Sequence, residues 1–286
     1  MRILVIGGDG GLGRPLAGRL AAAGHEVIAT TRRPDGANAG RLRFDLADAE
    51  APLSLPEADA CVLAAGVTML RACEEDPAGT GAINVDGVLR LARTLAARGT
   101  FVLLLSTSQV FDGGRPRRRI DEPPSPLTAY GRQKAAAERG VLELGHRGSV
   151  LRLTKVIDPS LALLRGWTSE LRAGRAINAF VDLVLAPVTT THACEVVERI
   201  LAGGGGGIHH ASGDEDVPYL TLAHALADQL GAPRELVRSG SAAEAGLPPG
   251  FRPRHTSLDP STLEALGLTA PASRDAIAKT IAAIAL

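Results

Sequence analysis

The chain lacks the features that mark several large protein classes. It has three cysteines in 286 residues. Cys61, Cys73 and Cys194 stand at spacings that match neither a metal site nor a redox pair, so a disulfide-stapled or zinc-dependent fold is disfavoured and no metal is expected. Cys61 falls inside an apolar strand and reads as a small core residue. No charge of one sign prevails: 31 Lys and Arg stand against 31 Asp and Glu, which gives no bulk field to attract nucleic acid or a membrane surface. The one basic run, Arg115-Pro-Arg-Arg-Arg119, reads as a solvated loop. No apolar stretch is long enough to span a bilayer, and the N-terminus opens directly on a strand rather than a leader. The chain therefore reads as cytoplasmic, without internal repeats or a separate linker.

What is present is an alternation of short apolar runs with helical segments. Residues 2–6, 26–30, 41–44, 59–65, 101–105 and 149–153 read as strands. Helical patterns lie between them, including a long one over about 80–98. This alternation implies a doubly wound α/β fold, a parallel sheet with helices on both faces, whose ligands bind beyond the carboxyl ends of the strands. We expect a dinucleotide-binding domain over 1–155. Residues 156–286, with helices near 161–173, 191–202 and 221–231, are expected to return some elements to the sheet and to form a small substrate lobe.

Two motifs carry chemistry. Gly7-x-x-Gly10-x-x-Gly13 lies between the first strand and a helix, where glycines let a pyrophosphate approach the backbone and the helix N-terminus offers free N–H groups. At the end of the second strand, where a carboxylate would bind a ribose 2′-hydroxyl, the chain has Thr30-Thr31-Arg32-Arg33. A guanidinium suits a 2′-phosphate, so NADP(H) is favoured over NAD(H), with Arg32 the first candidate and Arg33 the second. Asp45 and Leu46 follow the third strand and fall near the adenine.

Tyr130 and Lys134 are four residues apart on a helix expected to begin near Leu127, so they share a face. A tyrosine, with an ordinary pKa of about 10, is a weak acid–base group at neutral pH; a neighbouring ammonium favours its phenolate. Thr107, at a strand end, can donate a hydrogen bond to a substrate oxygen. Lys155 and Val156 follow another strand end and are candidates to line the nicotinamide pocket, although Lys155 also fits a surface charge. His209 and His210 lack metal-ligand company and read as structural. Trp167 is a candidate substrate contact or a core residue. Arg252 is a candidate phosphate contact or a salt-bridge partner.

At this point the chain resembles the extended short-chain dehydrogenase/reductases, and within them the dTDP-4-dehydrorhamnose reductase-like branch. The resemblance rests on residues 6–13, Ala64-Ala-Gly66, Ile83-Asn-Val85, 106–113, 126–134 with Glu138, Leu151-Arg-Leu153 and 252–259. It implies Thr107, Tyr130 and Lys134 as catalytic triad, and a cofactor held by Gly7, Gly10, Gly11, Leu12, Gly13, Thr31, Arg32, Ala64, Ala65, Gly66 and Val156. Val67, Ser108, Gln109, Trp167 and Arg252 are then the candidates for substrate contact. Sugar-nucleotide dehydratases of this superfamily carry Asp-Glu after the catalytic Thr, where this chain has Ser108-Gln109. The epimerase–reductases that make GDP-fucose use a cysteine at the position of Gln109. The 4-epimerases that recycle NAD have Asp at the position of Thr31. These differences favour simple NADPH-dependent reduction of a keto group on a nucleotide sugar, by a cytoplasmic protein that could form a homodimer as many relatives do. The rhamnose-pathway reductases usually have Asp-Tyr in place of Ser108-Gln109, which leaves the sugar open. Two other readings stay open: reduction of a non-sugar carbonyl, and a non-catalytic NADP-binding regulatory subunit like that of methionine adenosyltransferase.

Overall fold

The computed structural model describes residues 1–33 and 41–284. The apolar runs of the sequence form a seven-stranded parallel sheet: β1 (Arg2–Ile6), β2 (Glu26–Thr31), β3 (Arg41–Arg43), β4 (Ala60–Leu63), β5 (Phe101–Thr107), β6 (Gly148–Leu153) and β11 (Gly207–Ala211). Their order is β11-β6-β5-β4-β1-β2-β3. The chain thus winds outward one way from β1 and the other way from β4. The crevice between those two strands is a switch point, where the following loops diverge and leave room for a ligand.

Side chains alternate across the sheet with the period of two that strands impose. Ile3, Val5, Val62 and Leu103 point to one face, against α1 (Gly13–Ala22) and α7 (Thr190–Gly203). Leu4, Ile6, Cys61 and Leu104 point to the other, against α4 (Val88–Ala97) and α5 (Ala129–Leu142). Cys61 is fully buried there, in the position its apolar surroundings predict.

The expected helix over 80–98 is not uniform. After α2 (Leu70–Glu75), it starts as α3 (Pro77–Gly81), widens into a π turn over Ala82–Gly87 and resumes as α4. A π turn holds one residue more than α geometry allows, and such turns occur frequently at functional sites.

Beyond β6 the chain builds a third core of its own. Short strands pair as β7 (Val156–Ile157) with β10 (Val188–Thr189), β8 (Ile177–Phe180) with β13 (Val237–Gly240), and β9 (Val184–Leu185) with β12 (Val217–Pro218). Around them α6 (Ala162–Arg172), α8 (Tyr219–Leu230) and α10 (Ser273–Ala282) enclose Ile157, Leu164, Trp167, Leu222 and Ile277. The remaining short helix, α9 (Ser261–Ala265), packs Leu263 back onto the α1/α7 face of the sheet. Among the described residues, no helix is long and apolar enough to cross a membrane.

One polar cluster lies inside the sheet–helix interface. Arg152 on β6 pairs with Glu138 on α5 through Nη2 at 2.8 Å and Nε at 3.1 Å; both side chains are only 2% exposed. The Ser106 hydroxyl also donates to Glu138. Arg152 lies 5.0 Å from the centroid of the Phe111 ring, which Arg118 also approaches, at 4.4 Å. His210 stands beside Arg152, and burial pushes its pKa down to about 4. It is therefore neutral, with Nδ1 directed at the Asp259 carbonyl and Nε2 at Arg152.

Removing Arg152 alone should strand a buried carboxylate. Arg152→Met is expected to lose about 3–5 kcal/mol in urea unfolding, and Arg152→Met/Glu138→Leu to regain most of it. A single variant within about 1 kcal/mol of the parent would show that the pair contributes little.

Candidate active site

The site begins with the turn from β1 into α1. Gly7 has φ +94°, a conformation that side chains strain. A Cβ on Gly13 would lie 2.1 Å from the Gly7 carbonyl oxygen, so the helix can meet the loop this closely only without one. Thr30 holds the loop to β2: its hydroxyl accepts the Gly7 N–H at 3.0 Å, and its carbonyl accepts that of Gly8 at 2.9 Å. α1 has no side-chain cap and no acid in its first turn. The Arg14 N–H goes to the Gly10 carbonyl at 3.1 Å and Pro15 has none, so the N–H groups open to an anion are those of Gly11, Leu12 and Gly13, where the turn enters the helix.

Two joined cavities run along the ends of the strands. The first, about 340 Å³, is lined by Gly7, Gly10, Thr31, Arg32, Arg33, Asp45, Leu46, Ala64, Ala65, Gly66 and Val67. The second, about 610 Å³, shares Gly10, Ala64, Ala65 and Gly66 and continues past Gly11, Leu12 and Gly13 to Thr107, Ser108, Gln109, Tyr130, Lys134 and Val156. One end is thus bounded by arginines and the other by hydroxyls and an ammonium, with the glycine turn between them. These residues fit an extended dinucleotide: the phosphates at the N-terminus of α1, the adenosine toward Arg32 and the nicotinamide toward Tyr130.

At the arginine end, an acid unassigned from the sequence orders the surroundings. Asp9 accepts a hydrogen bond from the Thr31 hydroxyl and pairs with Arg41 at 2.8 Å. The hydrogen bond from Thr31 is the main cause that holds its carboxyl below the ordinary range. Asp9 thereby occupies Arg41. Arg32 and Arg33 remain exposed on the cavity without an ion pair among the described residues.

At the other end, Thr107 closes β5, and its hydroxyl accepts the Gln109 N–H at 3.2 Å. α5 starts at Ala129, two residues beyond the expected point, because Thr128 caps it: the Thr128 hydroxyl accepts the Gly131 N–H at 3.0 Å. Glu74 accepts the Ala129 N–H at 2.6 Å. These bonds fix the first turn, and with it Tyr130. One turn on, the buried Lys134 ammonium donates to the Leu105 carbonyl at 2.6 Å. Burial pushes its pKa down to about 8, against the opposing pull of Glu138. Burial raises Tyr130 above the ordinary phenol value, the reverse of what the ammonium alone would do. In the ligand-free chain desolvation prevails, so the phenol stays protonated at neutral pH.

Asn84 is a second residue without an assigned role in the sequence. In the π turn it is buried; it accepts the Val67 N–H and donates to the Val67 carbonyl, each at 2.8 Å, and also donates to Gln133. It fixes the loop after β4 against α5. The signal available in the sequence was a buried-type amide inside a helical run.

Three expectations require correction. Trp167 is in the lobe core, because α6 turns it toward Leu164 and Leu171 and away from the cavity. Arg252 is absent from the cavity walls, and its Nε donates to the Leu247 carbonyl at 2.9 Å. Phe251, Pro253 and Thr256 of that segment line the cavity instead. Val67 lines the arginine end, since Asn84 holds its backbone there.

Among the described residues, no group of three or more His, Cys, Asp or Glu is placed to hold a metal. Fold and site together define an extended short-chain dehydrogenase/reductase, a class of NAD(P)-dependent oxidoreductases. Within it, the family model described as RmlD substrate binding domain matches residues 1–286, and the chain belongs to that family. It is 32% identical over 281 residues to dTDP-4-dehydrorhamnose reductase of Streptomyces griseus, covering 93% of this chain and 88% of that one. It is 29% identical over 213 residues to methionine adenosyltransferase 2 subunit beta of Pongo abelii, covering 68% and 61%. Among solved structures it matches dTDP-4-dehydrorhamnose reductase from Bacillus anthracis in complex with NADP, with a TM-score of 0.87, 18% identity and 98% coverage of both chains; at that identity the likeness concerns the fold.

Gly13→Ala should leave a folded protein with a displaced loop. Dinucleotide affinity, read by fluorescence titration, is expected to fall about tenfold or more with an unchanged circular dichroism spectrum. An unchanged affinity would show that the turn absorbs the methyl group.

Proposed function

We propose that the protein is an NADPH-dependent reductase of a keto group on a nucleotide-activated sugar, with Thr107, Tyr130 and Lys134 as its catalytic residues. The observation that carries this reading is that all three line one cavity, whose lining also includes the glycine turn at the uncapped end of α1. The reductase relative supports the substrate class. Of residues 156–286, β11, α7 and α9 return to the sheet and the remainder form the lobe that covers the substrate; the same reading is of a cytoplasmic enzyme that could form a homodimer.

NADPH, when bound, supplies the hydride that the carbonyl carbon accepts. Tyr130 transfers its phenolic proton to the carbonyl oxygen as charge develops there. Thr107 donates a hydrogen bond to the same oxygen. Lys134 stabilises the phenolate that Tyr130 becomes; Leu105 holds one of its N–H bonds, and two remain for the phenolate and a ribose hydroxyl. The raised pKa of Tyr130 suits this direction, because reduction consumes the protonated phenol.

Tyr130→Phe is expected to lower NADPH oxidation at 340 nm by about 10²–10⁴-fold against 4-keto nucleotide sugars, with NADPH binding retained. NADPH binding by the parent without turnover of any such sugar would instead favour a non-sugar carbonyl or a non-catalytic subunit, as the methionine adenosyltransferase relative suggests.

The pH dependence follows from Lys134. Its charge is present below about 8 and is lost above, while Tyr130 remains protonated. The turnover rate should therefore fall as pH rises through about 8. A rate that stays level well above this range would remove Lys134 as the charge that supports the phenolate.

A further inference from the structure

The wider cavity carries charge of one sign. Among the described residues that line it, the basic side chains are Lys134 and Lys155, and none is a carboxylate. Lys134 is already engaged by Leu105. Lys155 is exposed on the cavity wall. Its ammonium has neither a hydrogen-bond acceptor nor an ion-pair partner among the described residues. Desolvation by the surrounding walls presses its pKa below the ordinary lysine value. A cation so placed is stabilised by a counter-ion that enters with a ligand.

Its position follows from the backbone. β5 and β6 pair with Thr107 opposite Leu153, and Lys155 lies two residues further along, at the reacting end of the cavity. Its carbonyl accepts the Val188 N–H at 3.0 Å, which ties it to the lobe strand β10. The phosphates of a dinucleotide have other partners: the N-terminus of α1, and Arg32 and Arg33 at the opposite end.

We propose that Lys155 selects substrates bearing a carboxylate on the sugar ring near the reducible carbonyl. The proposal rests on the reductase reading of this cavity. Nucleoside-diphosphate sugars also carry a diphosphate, so the test compares ligands that share it and differ only in the carboxylate.

The probes are thymidine-diphosphate glucuronate and thymidine-diphosphate glucose, titrated calorimetrically into NADPH-loaded protein. The variant is Lys155→Met, which keeps a long unbranched stem without its charge. The parent is expected to bind the glucuronate about tenfold more tightly. The variant should bind both probes alike, with NADPH affinity and thermal unfolding unchanged. The proposal is overturned by equal binding of the two probes to the parent, or by no binding of either. It is also overturned by an equal loss of both in the variant, the result if the ammonium meets the diphosphate, or by a loss of NADPH affinity. Turnover of the 4-keto derivative of thymidine-diphosphate glucose is measured separately, because that of the glucuronate is a β-keto acid that loses carbon dioxide. Its absence, with the carboxylate preference intact, would remove the reductase reading and leave the anion site standing.

Discussion

The buried pairing of Arg152 with Glu138 is the constraint on which the site depends. Two charges withdrawn from water are tolerable only with close geometry and every remaining polar atom engaged. Here the guanidinium is bonded to Glu138, faces neutral His210 and lies over Phe111, and the carboxylate also receives Ser106. The cluster joins three consecutive elements of the fold. Ser106 precedes Thr107 on β5, Glu138 lies one turn beyond Lys134 on α5, and Arg152 precedes the end of β6. The separation and rotation of Thr107, Tyr130 and Lys134 are thus set from behind by Glu138 and Arg152, which do not line the cavity, and by Ser106, which does.

Electrostatic roles divide along the cavity. At one end Asp9 occupies Arg41 and leaves Arg32 and Arg33 facing solvent. In the middle, the neutral glycine turn presents backbone N–H groups. At the other end, burial acts in opposite senses on the two titratable partners, raising Tyr130 and lowering Lys134. Both shifts have one physical origin, since a low-dielectric surrounding disfavours each charged form.

Much of this was legible in the sequence because it is local. Strands buried on both faces are apolar runs, the glycine turn is contiguous, and Tyr130 and Lys134 share a helical face by spacing alone. The doubly wound sheet and the membership of the reductase family follow from these. Residues whose role depends on distant partners were not legible. Asp9 acquires its place from Thr31 and Arg41, and Asn84 from Val67 and Gln133. Trp167 and Arg252 were each left between two readings because composition does not tell which side of α6, or of an irregular segment, turns inward. The true start of α5 depended on reading Thr128 as the cap rather than Leu127 as the first helical residue.

The π turn at Ala82–Gly87 bears on how this protein can change. Regularising the helix by deleting one residue there would restore α-helical hydrogen bonding. The flanking turns would keep their facing, because the wide turn had absorbed the extra residue, and the displacement would fall on the residues of the turn itself. Asn84 would then swing away from Val67, and the loop after β4 would lose both of its anchoring bonds. A shortened helix could be the more stable one in isolation and still leave the cavity wall unsupported. Length variation among relatives is therefore expected to avoid this turn and to accumulate in loops remote from it.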